Sequence, residues 1–278
     1  MPDRFSAFSF VDRITALEDG RRARGRFAIP AGLPAFSTCL VVEAIGQLAC
    51  WVAMAQADFR RRPVAAVSGE TRIVGEAAPG EILDFGVEIE SCDPDAVAYG
   101  GWARVADTPV LALCRCVGPM LPLEDFDAPE AVRGDFETLC GPGKPPSRFP
   151  GITAPDLTLI DRIPGQRLRA AMHVPVSAPF FGDHFPRRPV FPATLLLDAQ
   201  IRLAVQLAGE TLPPGQRLRP ARVADVKMRS FILPGQAVEL EAGMRSATDG
   251  AAELTLGAMV DGKRVATGRM EIVSLGSG

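Results

Sequence analysis

Histidine is nearly absent from this chain, with two residues in 278, alongside one tyrosine and two tryptophans. Each histidine is therefore a candidate for chemistry. No Cys-x-x-Cys pair or Cys/His grouping occurs among the six cysteines, Cys39, Cys50, Cys92, Cys114, Cys116 and Cys140. Their irregular spacing argues against a metal site or a disulfide framework. A strong charge of one sign is missing too, since the net charge is -3, so nothing in the balance points to nucleic acid. The absence of a P-loop or dinucleotide fingerprint removes the cofactors held by such motifs. No run of about twenty apolar residues is uninterrupted, and the first ten residues lack the basic-then-apolar layout of a secretory signal. The expectation is a cytoplasmic protein with no cofactor, no metal and no membrane span.

What is present is apolar residues, 47% of the chain, with 25 prolines and 27 glycines. That composition builds a core interrupted by many turns. The chain also repeats itself. Phe10 to Ile14 (FVDRI) recurs about 150 residues later as Leu159 to Ile163 (LIDRI), and each is followed by a glycine-led strand, GRRARGRFAIP or GQRLRAAMHVP. Apolar helices are predicted next, from Leu33 and from Arg188. Pro34 matches Pro189, Glu43 matches Asp198, and the Pro79-Gly80 turn matches Pro234-Gly235, all at one offset of 155. Beyond each Pro-Gly turn the pattern becomes period two, as in EILDFGVEIES and QAVELEAGMRS, with Asp-Gly signals at Asp249-Gly250 and Asp261-Gly262 that read as antiparallel hairpins. Cys114 and Cys116 fall in one such strand and are expected to be buried thiols.

A helix that is apolar nearly all round must be wrapped by its sheet. The fold class is therefore α+β, made twice, with domains at 1–127 and 156–278. Residues 128–155, rich in Pro and Gly without sustained periodicity, read as a linker.

The stretch from Pro179 to Ala208 carries the chemistry. It holds His184 in a Pro-rich loop and Asp198, an acid among leucines and alanines, fourteen residues on. HFPRRPVFPATLLLDAQ, His184 to Gln200, resembles the signature of the hot-dog fold 3-hydroxyacyl-acyl-carrier-protein dehydratases, in which a His-Phe-Pro loop leads into a helix bearing Glu or Asp. LIDRI, FFGDHF and Pro234-Gly235 fit as well, so the resemblance covers nearly all of the second half. The first half is similar more faintly, through FVDRI, VVEAIGQ and Pro79-Gly80. Its Glu43 and Gln47 match the family's E-x-x-x-Q, but fourteen residues before Glu43 stands Ile29, and about ten loop residues are missing.

In that family the histidine comes from one subunit and the acid from the helix of the other. The resemblance thus implies two tandem hot-dog domains forming a pseudo-dimer, with His184 opposite Glu43 in one composite site. Asp198 would face the place where the first half lost its loop. His184 would be the base, Glu43 the acid with its pKa raised by desolvation, Gln47 a partner orienting that carboxylate, and the Ala193 amide the donor to the thioester oxygen. Most relatives have glycine where this chain has Ala193.

Blander readings stand beside these. His184 could tie down its loop, and Glu43 could sit on a solvated edge. Asp198 could cap loop amides on the silent side, which is favoured over catalysis, and His173 reads as an ordinary strand residue. Phe180, Phe181 and Phe185 are candidates for an acyl tunnel, with plain core as the alternative. Arg60, Arg61, Arg62, Arg187 and Arg188 are candidates for docking an acidic acyl carrier protein, with solvated surface as the alternative. The expected substrate is an acyl thioester on acyl carrier protein or coenzyme A, and further homo-oligomerisation is left open. The rival functions are a hot-dog acyl thioesterase and a non-catalytic acyl-thioester-binding module.

Overall fold

In a computed structural model, the structure describes residues 7–18, 20–145, 149–213 and 215–275. Residues 1–6 of the N-terminal stretch and 146–148 of the expected linker lie outside the described residues. The first half runs β1 (Arg13–Glu18), β2 (Arg22–Ala28), α1 (Thr38–Gln56), β3 (Arg61–Pro63), β4 (Val67–Ile73), β5 (Ile82–Cys92), β6 (Ala96–Val105) and β7 (Thr108–Pro122). After α2 (Pro129–Cys140), the second half repeats the plan as β8 (Thr158–Ile163), β9 (Arg167–His173), α3 (Ala193–Ala208), β10 (Arg217–Met228), β11 (Ala237–Ala247), β12 (Ala251–Val260) and β13 (Lys263–Leu275).

One antiparallel sheet joins everything, in the order β1-β2-β5-β6-β7-β4-β10-β13-β12-β11-β9-β8, with β3 paired to β7 off this path. The second half of that order is the first half reversed, so the two units meet about a pseudo-twofold axis. The seam is β4 against β10, in which Arg72 opposes Arg222 and Val67 opposes Lys227. Neither seam strand was anticipated, because RVADVKM and VSGETRI carry too many polar residues for clean period-two alternation. Their partners across the seam, and not their own pattern, make them strands.

The offset of 155 holds to the residue from helix to sheet: α1 and α3 begin at Thr38 and Ala193, β5 and β11 at Ile82 and Ala237, β6 and β12 at Ala96 and Ala251. Both helices start five residues later than predicted, since Pro34 and Pro189 lie in non-helical approach segments and the caps are Ser37 (ψ 150°) and Pro192 (ψ 132°). Gly80 and Gly235 sit at φ +88° and +82°, where a side chain would be strained.

Upstream of the helices the structural offset is 145, with Arg13 opposite Arg26 and Thr158 opposite Ala171. The change to 155 is the longer second loop, residues 174–192 against 29–37. It also shows that FVDRI and LIDRI occupy different points of their hairpins. Asp12 lies eight residues before the left-handed turn Gly20, whereas Asp161 lies four before Gly165. Consequently Asp12 accepts the Ala28 amide at 2.7 Å while Asp161 pairs with Arg167 near its turn.

α1 is apolar and long enough by composition to cross a membrane, yet it packs into its own sheet with Ala44, Ile45, Leu48 and Ala49 fully buried. α3 does the same with Leu196, Ala199, Leu203 and Leu207. The expected linker contains α2, a finding that departs from the reading of that stretch. Its sequence carries a helical period in Val132, Phe136 and Leu139, which the surrounding prolines and glycines masked, and Val132 and Leu139 are its buried anchors among the described residues. Cys116 is buried but Cys114 is exposed. Arg115 at φ 56° marks a bulge there, which switches strand parity.

Candidate active site

The loop between β9 and α3 carries His184 against the start of α1. Its backbone is pinned by Phe180 O, which accepts the His184 amide at 2.8 Å, and by Phe126 O, which accepts the Arg187 amide at 3.0 Å. The Asp183 carboxylate accepts the amides of Ala7 and Phe8, each at 2.8 Å, tying the second-half loop to the start of the first half. The imidazole lies stacked on Phe185 at 4.1 Å, with Phe8 edge-on at 5.6 Å. Its Nδ1 is 3.2 Å from Val190 O. A carbonyl can only accept, so Nδ1 carries the proton of the neutral ring and Nε2 holds the lone pair.

Glu43 stands in the second turn of α1 and opens onto the same cavity as His184, a space of about 660 Å³. Its Oε1 accepts Gln47 Nε2 at 3.0 Å, and its Oε2 accepts the Thr194 hydroxyl at 2.7 Å. Gln47 in turn donates to Phe8 O at 3.0 Å and accepts the Phe10 amide at 2.9 Å, which sets its amide orientation. One carboxylate is thus held by its own helix and by the first turn of α3 from the other half.

Burial lowers the His184 pKa from its ordinary value; the Glu43 carboxylate opposes that, and the Arg62 guanidinium adds to it. The net direction favours the neutral imidazole at pH 7. Asp198 does not line the cavity. It is engaged by the Ser37 hydroxyl and lies 3.6 Å from Arg202 Nε, and burial raises its pKa. The structure therefore brings His184 together with Glu43, across the halves, and leaves Asp198 against the shortened loop.

Ala193 lines the cavity at the first residue of α3, where backbone N–H groups lack intrahelical acceptors. Of the three phenylalanines, Phe185 lines the cavity, whereas Phe180 and Phe181 do not and pack in the main core. Their rings pack against each other at 4.5 Å in a tilted pair, so the tunnel reading is corrected for those two. The arginines divide as well. Arg60, Arg187 and Arg188 are exposed, and Arg61 donates to Met120 O at 2.9 Å. Arg62 turns inward and stacks over Phe185 at 3.8 Å, so it belongs to the cavity and not to an outer docking face.

Thr194, Phe8 and Asp183 were missed in the sequence. Thr194 lies inside the quoted motif, and a hydroxyl one residue into a helix that faces a carboxylate was the available signal. Nothing in the sequence marked Phe8, which reaches the site through tertiary contacts alone.

A family model described as FabA-like domain matches residues 153–269. The 3-hydroxyacyl-[acyl-carrier-protein] dehydratase FabZ of Myxococcus xanthus is 37% identical over 131 residues, covering 44% of this chain and 81% of that protein. The FabZ of Escherichia coli is 32% identical over 133 residues, covering 45% and 83%. Solved structures resemble the whole chain. A Lactobacillus plantarum protein assigned as an oleoyl thioesterase matches at TM-score 0.61 and 13% identity, over 93% of this chain and 98% of that one. An acyl-ACP thioesterase of Bacteroides thetaiotaomicron matches at 0.55 and 10%, over 92% and 100%. At such identities the likeness is one of fold, a double hot dog.

Proposed function

Since this chain belongs to the FabA-like hot-dog family that includes the FabZ dehydratases, we propose that it eliminates water from a 3-hydroxyacyl thioester in one composite site between its halves. The observation that carries the reading is the meeting of His184 and Glu43 in one cavity, from opposite halves. Nε2 of His184 takes the α-proton, the α,β double bond forms, and the β C–O bond breaks. The departing hydroxyl takes the proton of Glu43 and leaves as water. Proton transfer from the imidazolium to the carboxylate then restores both groups. As enolate character develops, the Ala193 amide donates to the thioester oxygen. The Thr194 hydroxyl and Gln47 amide hold the Glu43 carboxylate in place, and the hydroxyl can turn from donor to acceptor when the carboxyl is protonated.

The names of the FabZ relatives support acyl carrier protein as the carrier. At the mouth of the cavity stand the exposed Arg188 and Arg229, suited to an acidic partner. Asp198 takes no part. Incubation with a 3-hydroxyacyl thioester should raise enoyl absorbance without releasing free thiol. His184→Ala and Glu43→Gln should each lower that rate by about 10²-fold or more, the scale of acid–base catalysis, while Asp198→Asn leaves it within a few-fold. Thiol release with no enoyl product would make the protein a thioesterase, and unchanged rates in both variants would sink the site assignment.

A further inference from the structure

Arg62 is a half-buried cation on the wall of a largely apolar cavity, and in the proposed dehydration it touches no reacting atom, acting on the base only through its charge. Its guanidinium stacks over Phe185 at 3.8 Å and lies 5.6 Å from the Phe126 centroid. Its Nε is buried with no hydrogen-bond partner. Burial lowers its pKa, while Cys50, Asp127 and Glu43 act in the opposite direction. An unsatisfied donor on a desolvated cation is costly unless a ligand supplies the acceptor.

The surroundings define that ligand. Cys50 lies two turns beyond Glu43 on α1, roughly 10 Å along the helix axis, and the Arg62 guanidinium interacts with it, while Phe185 contacts both that guanidinium and the imidazole. Trp51, Met54 and Val132, all nearly inaccessible to solvent, close this branch under α2. Every one of these residues lies outside the matched segment 153–269. The buried Asp127 carboxylate, which accepts the Ala128 amide at 2.7 Å, also lines the branch. A negative group is therefore already present beside the guanidinium, and a second carboxylate arriving there would be repelled.

Resting on the function proposed above, we propose that Arg62 and Asp127 form a subsite for a neutral oxygen, a hydroxyl or keto group carried on the acyl chain away from the thioester. The preferred substrate is then an oxygenated acyl chain in place of a saturated alkyl one.

The test is calorimetric binding of three medium-chain 3-hydroxyacyl-N-acetylcysteamine thioesters that differ at the far end alone, ending in methyl, hydroxyl or carboxylate. Using the His184→Ala protein suppresses turnover by about 10²-fold or more during the titration. The hydroxyl-ended compound should bind about ten-fold tighter than the methyl-ended one, the scale of one hydrogen bond to a charged group. Arg62→Met should abolish that preference while keeping the affinity for the methyl-ended compound, and Arg62→Lys should retain part of it. Equal binding of hydroxyl and methyl ends, a preference that survives in Arg62→Met, or tightest binding of the carboxylate would each overturn the subsite. Failure of all three to bind would instead remove the acyl-thioester reading beneath it.

Discussion

His184 and Asp12 each carry a shifted pKa with a testable consequence. The acid limb of the proposed dehydratase rate reports the protonation of His184, whose pKa is lowered by burial and by Arg62 and raised by Glu43. The base must be neutral, so activity should persist below pH 6.5 before falling. Arg62→Met removes a cation beside the ring, and its acid limb should move to higher pH when kcat/KM is measured across pH 4.5–8. Asp12 behaves differently. Burial raises its pKa to about 6 from 3.8, against the Ala28 amide and Lys144 that lower it. The folded state then holds the proton more tightly than the unfolded chain, so this carboxyl's contribution to stability falls as pH rises from about 4 to about 6 and stays low above that. Asp12→Asn keeps an acceptor for Ala28 without the charge, and its Tm should lose less between pH 4 and pH 7 than the parent's. The Thr194 hydroxyl completes the residue scale: Thr194→Val should cost about ten-fold or more in kcat, from one lost bond to a carboxylate, with circular dichroism unchanged.

At the scale of elements, α1 is both core and active-site support. Leu48 is fully buried on it and approaches the floor of the sheet at Gly25, while Glu43 and Gln47 line the cavity and Glu43 reaches across to Thr194 of the other half. Leu48→Ala should destabilise by about 2–5 kcal/mol through the cavity it leaves, measurable by urea unfolding. The helix, its acid and its glutamine were legible from spacing, as was the absence of the first-half loop. The loop's absence explains why Asp198 ends beside Ser37 and not beside an imidazole. The seam strands were not legible, because their strand state depends on a partner distant in sequence, whereas α2 carried its period in Val132, Phe136 and Leu139 and was overlooked among prolines and glycines.

For the whole molecule, the continuous sheet makes the two hot dogs one cooperative body. Val223 in β10 opposes Thr71 across the seam and Met270 behind it, and is buried. Val223→Pro removes a ladder donor and should lower the unfolding midpoint of the entire chain in a single transition. Enoyl formation should fall with it, since His184 and Glu43 lie on opposite sides of that seam. Independent unfolding of one half, with the other retaining its midpoint, would show that the units are coupled less than the sheet implies.

Residue identity and spacing alone determined the duplicated α+β plan, the His-Phe-Pro loop of the second half and its absence from the first, while the expectation that His184 faces Glu43 and not Asp198 came from the resemblance to the dehydratases. The plan and the loop are local patterns, written in periods of two and 3.6 and in a constant offset, and they survive without coordinates. Tertiary structure decided what depends on neighbours far apart in the chain: that Thr194 holds Glu43, that Phe8 meets the imidazole, that Phe180 and Phe181 are core, and that Arg62 points inward while Arg60 points out. Three adjacent arginines look alike in a sequence. A short β3 pairing with β7 turns one of them into the cavity, and no property of the residue itself foretells which.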